Sequence, residues 1–167
     1  DVLGSRGLGD VYKRQVMERD DGLIKFFNDA GVGYAVPDDI DYSMWLKFTM
    51  NIFSNQTSAV LNMTFGEMKY NKAFIDFAKK IIAEVRSVAE LKGINGLENL
   101  EKDALDALSR MCDEGKTSMH QDILAGRKTE VDIFAGEMIK LGRELGVPVP
   151  YNQVLYDMVK IKEAANE

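Results

Sequence analysis

Hydrophobic residues recur with helical spacing along most of the chain. The clearest case is 73–92, where Phe74, Phe77 and Ile81 begin a series of apolar positions three or four residues apart, which is typical of an amphipathic helix. Glycines and prolines separate such segments, and Gly66 is expected to mark a turn. The sequence therefore predicts an all-α fold after residue 37. Further helices are predicted over about 42–62, 100–111, 119–124, 129–145 and 152–164.

The pattern before Pro37 is different. Residues 23–31 predict a helix and residues 32–36 a short strand, a pair that fits the tail of an α/β domain. The first fifteen residues are glycine-rich and basic, and DVYKRQ is typical of translated sequencing adaptor. Their GLGD run lacks the third glycine and the following helix of a dinucleotide-binding loop. The expected divisions are a non-native segment at 1–15, a remnant of a Rossmann domain at 16–37 and a helical domain at 38–167.

One predicted helix carries a polar stripe. In WLKFTMNIFSN, Lys47, Asn51 and Asn55 follow one another at intervals of four, in surroundings that are otherwise largely apolar. This spacing places them on one face of a helix. Burying an ammonium and two amides is costly unless polar groups face them. The stripe therefore predicts a polar partner within the protein or a small anionic ligand with a carbonyl group. Alternatively, the lysine extends to solvent and the amides serve helix packing.

A second polar cluster lies in KTSMHQDILAGRKTEVD. Ser118 and Asp122 fall near the start of one predicted helix, and Glu130 falls near the start of the next. Hydroxyls and backbone N–H groups at helix starts are suited to binding a carboxylate. The structural alternatives are that Ser118 is only a helix cap and that Glu130 pairs with Arg127 or with a neighbouring helix. Thr129 is expected to cap the later helix in capping-box style.

Composition narrows the possible classes. The 167 residues, of which 46% are hydrophobic, are enough to bury one sizeable core. A net charge of -6 disfavours general nucleic-acid binding, and no apolar run approaches the roughly 18 residues of a membrane span. Cys112 has no disulfide partner in the chain and is expected to be buried, which fits a reducing cytoplasm. With one histidine as well, most zinc sites are excluded, and no metal is expected.

Taken together, these segments resemble the ketopantoate reductase (2-dehydropantoate 2-reductase) family. The motif W-x-K-x-x-x-N-x-x-x-N is followed later in the chain by SM-x-QD-x-x-x-GR-x-TE-x-D. The runs GVPVPYN and LYDMVKIKE resemble the end of that family's C-terminal domain. The resemblance extends from about residue 16 to residue 163.

The resemblance implies a two-domain, NADPH-dependent reductase of ketopantoate, acting in pantothenate and coenzyme A biosynthesis. Its helical half would be of the 6-phosphogluconate dehydrogenase C-terminal type, with the 2-oxo acid bound between the domains, and a homodimer is one expected assembly. The implied roles are general acid for Lys47, substrate binding for Asn51, Asn55 and Ser118, substrate binding and catalysis for Glu130, and a weaker substrate contact for Asp122.

The cofactor half is the main departure from the family pattern. No G-x-G-x-x-G follows a predicted strand, so we expect the chain alone to be inactive and assign no cofactor-binding residues. Two alternatives remain open: another 2-oxo-acid or β-hydroxyacid oxidoreductase on this scaffold, and a non-catalytic helical dimerisation module. If the enzyme interpretation is correct, the candidate side chains should share one cleft.

Overall fold

The computed structural model describes residues 15–16 and 20–165. Strand β1 (Gln15–Val16) pairs in parallel with β2 (Tyr34–Ala35), and helix α1 (Asp21–Asp29) lies between them in the chain. The carboxylate of Asp20 caps α1 by accepting the N–H of Leu23 at 2.9 Å. The helix–strand pair predicted over 23–36 is therefore confirmed. Residues 1–14, which include the GLGD run and most of the expected non-native segment, lie outside the described residues.

The described chain after Pro37 is helical, which confirms the predicted fold class. The elements are α2 (Ile40–Met50), the π-helical segment π1 (Asn51–Asn55), α3 (Gln56–Leu61), α4 (Phe65–Lys69), α5 (Lys72–Leu91), a 3₁₀ turn (Leu97–Asn99), α6 (Leu100–Ser109), α7 (Ser118–Leu124), the π-helical segment π2 (Asp132–Gly136), α8 (Glu137–Leu145) and α9 (Pro150–Ala164). None of the helices described here is both long and apolar enough to cross a bilayer.

Helix α5 lies at the centre of the core. It packs against α4, α6, α8, α9 and π1, and its apolar face buries Phe74 and Ile81. Phe77 is half-buried and meets the ring of Tyr151 edge-on, with centroids 5.7 Å apart. Full burial of such side chains contributes about 1.5–3 kcal/mol each. The sequence pattern of 73–92 therefore corresponds to the main packing surface of the domain.

The segments α2, π1 and α3 form one continuous helix from Ile40 to Leu61. The Asp39 carboxylate caps its start by accepting the N–H of Tyr42 at 2.9 Å. Its end is marked by Asn62, whose φ of 56° is left-handed. Along its length this helix contacts α6, α5, α7 and α9 in turn. A residue on it can therefore face several different elements.

A buried carboxylate of α5 fixes the start of α9. Glu84 is 8% exposed and accepts the backbone N–H of Tyr151 at 2.7 Å and that of Asn152 at 3.1 Å. It also accepts the Asn152 side-chain amide at 2.8 Å. Glu84 thus satisfies two backbone N–H donors in the first turn of α9, which has no side-chain cap of its own.

Two sequence-based expectations about this domain are wrong. Gly66 lies inside α4 rather than at a turn, and a Cβ there would stand 3.0 Å from that of Asp113. The glycine thus lets the 113 loop approach closely enough for the Gly66 N–H to reach the Asp113 carbonyl at 2.9 Å. Cys112 is exposed rather than buried, because α6 ends at Ser109, before this residue. The Cys112 thiol donates to the Glu114 carboxylate at 3.3 Å.

Candidate active site

The polar stripe lies where the long helix changes its winding. Lys47 is in the last turn of α2, and Asn51 and Asn55 are the first and last residues of π1. In a regular α-helix, side chains four residues apart diverge by about 40° per step. The step from Asn51 to Asn55 falls within π winding, whose turn holds more residues than an α-helical turn. Single π-helical turns are rare and frequently occur at functional sites.

Side chains compensate for the irregular backbone of π1. The Ser54 hydroxyl donates to the Met50 carbonyl at 2.6 Å, and the Gln56 amide donates to the Ile52 carbonyl at 2.7 Å. Changing from α to π hydrogen bonding disturbs the regular pairing of carbonyls at the junctions. These buried polar side chains therefore stabilise the winding that positions the stripe.

The stripe runs from solvent into the protein. Lys47 is exposed, Asn51 is half-buried and Asn55 is only 3% exposed. Within the described residues, no hydrogen bond joins the Asn55 side-chain amide to another protein group; only its backbone carbonyl meets a side chain, the Ser58 hydroxyl. The fully buried side-chain atoms without a partner there are Gln56 Oε1, Thr57 Oγ1 and Asn152 Oδ1. Because buried amides normally have a partner, Asn55 is a candidate for contact with a ligand at the inner end of the stripe.

Helix α7, which carries Ser118, is fastened directly to the long helix. Thr117 caps α7 by accepting the His120 N–H at 3.2 Å, and its hydroxyl shares a 2.6 Å hydrogen bond with that of Ser58. The Ser58 hydroxyl also lies 3.0 Å from the Asn55 carbonyl. Thr117 rather than Ser118 is thus the helix cap, and Ser118 is exposed on the first turn.

Arg127 is engaged by Asp122 within this cluster. One carboxylate oxygen of Asp122 accepts both Nε and Nη2 of Arg127, at 2.9 and 2.7 Å. The alternative in which Arg127 neutralises Glu130 therefore loses its main support. Asp122 itself has a clear structural partner, and its contact with substrate remains a prediction.

Glu130 is exposed and lies just before π2. The capping box expected at Thr129 is wrong, because the carboxylate of Glu163 takes both the Thr129 N–H and its hydroxyl, at 2.6 and 2.8 Å. Asp132 instead accepts the phenolic hydroxyl of Tyr156 at 2.8 Å. Thr129 and Asp132, which lie on either side of Glu130 in the chain, are thus held by side chains of α9.

The elements that carry the candidate side chains are neighbours. The segment π1 packs against both α7 and π2, so the bearers of Asn51, Asn55 and Ser118 adjoin the segment next to Glu130. A separate hollow of about 380 Å³ beside α7 is lined by other residues, including Lys116 and Gln121. Among the described residues, no group of histidine, cysteine and acidic side chains is placed to hold a metal.

The sequence of this chain matches a known family. The family described as "Ketopantoate reductase PanE/ApbA C terminal" matches residues 39–163. The chain belongs to this family. The 2-dehydropantoate 2-reductase of Pyrobaculum aerophilum is 27% identical over 159 residues, covering 95% of this chain and 56% of the relative. The chain thus spans about half the length of the ketopantoate reductases it matches.

Two solved structures share the fold. A PanE/ApbA family ketopantoate reductase from Ralstonia eutropha JMP134 has a TM-score of 0.82 at 24% identity, covering 93% of this chain and 53% of the other. A D-mandelate dehydrogenase solved with NADH and anilino(oxo)acetate has a TM-score of 0.79 at 23% identity, covering 87% and 48%. Both likenesses show that this chain shares its helical fold with these proteins.

Sequence reasoning missed residues that hold these elements together. Thr117 fastens α7 to the long helix, and Glu163 binds the 129–132 segment. No local sequence pattern predicts either contact. Glu163 did carry a signal: it lies in the last turn of α9, where the helix dipole disfavours a negative charge. An acid at such a position needs compensating donors, which Thr129 and Lys160 supply.

Proposed function

We propose that the chain is the substrate-binding and catalytic half of a 2-dehydropantoate 2-reductase that uses NADPH. The observation that carries the proposal is the buried Asn55, whose side-chain amide makes no hydrogen bond within the described residues and which lies two helical turns after Lys47 on one continuous helix. Family membership over residues 39–163 supports the reaction class. The cytoplasmic location and the homodimer remain predictions.

The side chains suit the reduction of a 2-oxo acid. Hydride addition to the keto carbon builds negative charge on its oxygen, which an ammonium can stabilise and protonate. Lys47 is assigned that role. Asn51 and Asn55 supply neutral donors and acceptors for carbonyl and hydroxyl groups. We assign carboxylate binding to Ser118, with Asp122 as a weaker contact, and assign Glu130 to accept a hydrogen bond from a substrate hydroxyl.

The described residues do not fit the main cofactor site. At the start of α1, the helix N-terminus in the described Rossmann remnant, Asp20 caps the helix and Asp21 follows. Acidic side chains at this end do not favour binding of a phosphate. We therefore propose that NADPH is bound mainly by the part of the reductase that lies outside the region matched by this chain.

A second candidate substrate class has its own support. A hollow of about 260 Å³ is lined by Met44, Trp45, Phe48 and Leu141, and the first three lie on the helix that carries Lys47. Such an apolar hollow would accept a bulky substituent of the oxo acid. The fold shared with a D-mandelate dehydrogenase fits this alternative.

The test requires a full-length reductase that contains this chain. Lys47→Met should lower kcat for ketopantoate by roughly 10²–10⁴, while Lys80→Met, an exposed lysine of α5, should leave kcat unchanged. NADPH oxidation is followed by absorbance. Full activity of Lys47→Met would refute the assigned role. Rapid turnover by the 167-residue chain alone would instead refute the expectation that this chain is inactive without the cofactor half.

A panel of oxo acids distinguishes the two substrate classes. Ketopantoate should give the highest kcat/KM if the first proposal holds. A preference for aryl oxo acids that is lost in Phe48→Ala would instead favour the second.

A further inference from the structure

We propose that Lys162 and Glu163, adjacent residues in the last turn of α9, are positioning residues that set the separation between Asn55 and Glu130. We call this pair the clamp. The inference rests on the proposed function, because it concerns the geometry of the same site. Neither residue is a candidate for contact with the substrate.

The Glu163 side chain of the clamp binds the segment that carries Glu130. Its carboxylate accepts the Thr129 N–H at 2.6 Å and the Thr129 hydroxyl at 2.8 Å, and it pairs with Lys160 at 2.8 Å. The side chain is 10% exposed. Burial alone would raise the pKa of Glu163, but hydrogen bonds from Lys160 and Thr129 bring that pKa below its usual range. The Glu163 carboxyl group is therefore ionised near neutral pH.

The position of Thr129 restricts that of Glu130. Consecutive Cα atoms are about 3.8 Å apart across a planar peptide. A residue whose N–H and hydroxyl are both fixed therefore leaves its successor little translational freedom. On the other side of Glu130, Asp132 is bound by Tyr156 at 2.8 Å. Helix α9 thus restrains the backbone on both sides of Glu130.

The Lys162 side chain of the clamp binds the long helix that carries the polar stripe. Its ammonium donates to the Ala59 carbonyl at 2.9 Å and to the Asn62 side-chain oxygen at 3.2 Å. These acceptors lie at the C-terminal end of α3, where a cation is favourable. Ala59 follows Asn55 by four residues in the same continuous helix.

Adjacent residues of a helix point about 100° apart. The side chains of Lys162 and Glu163 can therefore reach different neighbouring segments. Helix α9 packs against both α3 and π2. Glu163 lies at the C-terminal end of α9, where the helix dipole disfavours a negative charge. Its placement is therefore not explained by the stability of α9 itself. The clamp thus links the two parts of the site through a single helical turn.

The kinetic test uses a full-length reductase containing this chain. Glu163→Gln and Lys162→Met should each lower kcat/KM for ketopantoate roughly 10–100-fold, since misplacing a reacting group by about 1 Å has effects of this size. The double variant should lose little more than the worse single variant, because either change already uncouples the two parts. Lys162→Arg should retain most of the activity. Additive losses, or kcat/KM within twofold of wild type in Glu163→Gln, would overturn the clamp.

Glu84→Gln is the matched control, because Glu84 binds the opposite end of the same helix. It should lower the Tm at least as much as Glu163→Gln while leaving kcat/KM unchanged below the unfolding range. A parallel loss of kcat/KM in Glu84→Gln would mean that any weakening of α9 impairs activity, and would overturn the specific role of the clamp.

A readout without turnover separates this inference from the proposed function. In NMR spectra of the 167-residue chain, Lys162→Met should shift the Glu130 backbone amide resonance, and Glu163→Gln should shift the Asn55 side-chain resonances. Unshifted resonances would overturn the clamp even if the wild-type reductase were active. An inactive wild-type reductase with both shifts present would refute the proposed function and leave the clamp standing.

Discussion

Two long helices cross the core, and they differ in regularity. Helix α5 is α-helical over 20 residues and turns one apolar face to its neighbours. The helix from Ile40 to Leu61 changes to π winding at π1 and buries Ser54, Asn55 and Gln56. The regular helix fills space, whereas the irregular helix holds polar groups in place. The comparison indicates that local irregularity in this fold accompanies the candidate site.

The buried polar groups of the two helices also differ. Glu84 of α5 accepts three donors from the start of α9. Asn55 of π1 has no side-chain partner within the described residues. Glu84 therefore serves the fold, whereas the role proposed for Asn55 is contact with a ligand.

The largest effect on stability is expected from the packing face of α5. Ile81 is 0% exposed, so Ile81→Ala should lower the free energy of unfolding by about 2–5 kcal/mol through lost burial and a cavity. Chemical denaturation measures this loss, with Lys80→Ala as the exposed neighbour that should change little. A loss as small as that of the control would mean that α5 does not dominate the core.

A smaller loss is expected when the cap of α9 is weakened. Glu84→Gln should lower the free energy of unfolding by about 1–3 kcal/mol, because charge-assisted hydrogen bonds to backbone N–H groups are lost. Glu90→Gln affects an exposed ion pair with Arg86 and should have no measurable effect on unfolding. Equal losses in the two variants would remove the distinction between the buried and the exposed acid.

The two buried asparagines offer a further contrast. Asn152 is 0% exposed and its side-chain N–H donates to Glu84, while its Oδ1 has no partner among the described residues; losing the donated bond, Asn152→Leu should destabilise the protein by about 1–3 kcal/mol. Asn55→Leu should change the free energy of unfolding by less than about 1 kcal/mol, since no side-chain hydrogen bond within the described residues is lost. In a full-length reductase it should raise KM for the oxo acid at least tenfold. A strongly destabilised Asn55→Leu would show that the amide serves the fold.

The smallest effect expected is a dependence of stability on pH, caused by His120, whose ring lies just beyond the end of α3. His120 is 2% exposed, with Nδ1 3.1 Å from the Met63 carbonyl. Burial lowers the pKa of His120, and the nearby Lys116 and Lys162 add to this, while the Met63 carbonyl and Glu67 oppose it. Because the folded pKa is below the unfolded one, the unfolded state binds more protons, and stability falls as the pH drops through the usual value of 6.5.

Unfolding measured between pH 8 and pH 6 tests this sign. The wild-type chain should lose stability toward pH 6, and His120→Asn should remove most of that slope, because His120 is the only histidine in the sequence. A slope that persists unchanged in the variant would assign it to other groups.

The contrast between the two helices also explains what sequence could predict. The spacing of Phe74, Phe77 and Ile81 sufficed for α5, because burial follows directly from an amphipathic period. The same period predicted a helix around Lys47 but not π1, since the change of winding depends on bonds made by Ser54 and Gln56 inside the fold.

Long-range partners account for the remaining differences. Thr129 resembled a capping-box residue locally, but Glu163, 34 positions away, occupies its donors. Gly66 resembled a turn, but it is required for the approach of Asp113. Local patterns therefore identified the elements and the candidate side chains, whereas tertiary contacts determine how those side chains are held.

The exposure of Cys112 has a practical consequence. It is the only cysteine of the chain and its thiol is exposed, in the loop between α6 and α7. A maleimide fluorophore could be attached to the 167-residue chain at this one position without removing any other thiol. Attached there, the dye would sit beside the loop that leads into α7, where its emission could report on oxo-acid binding.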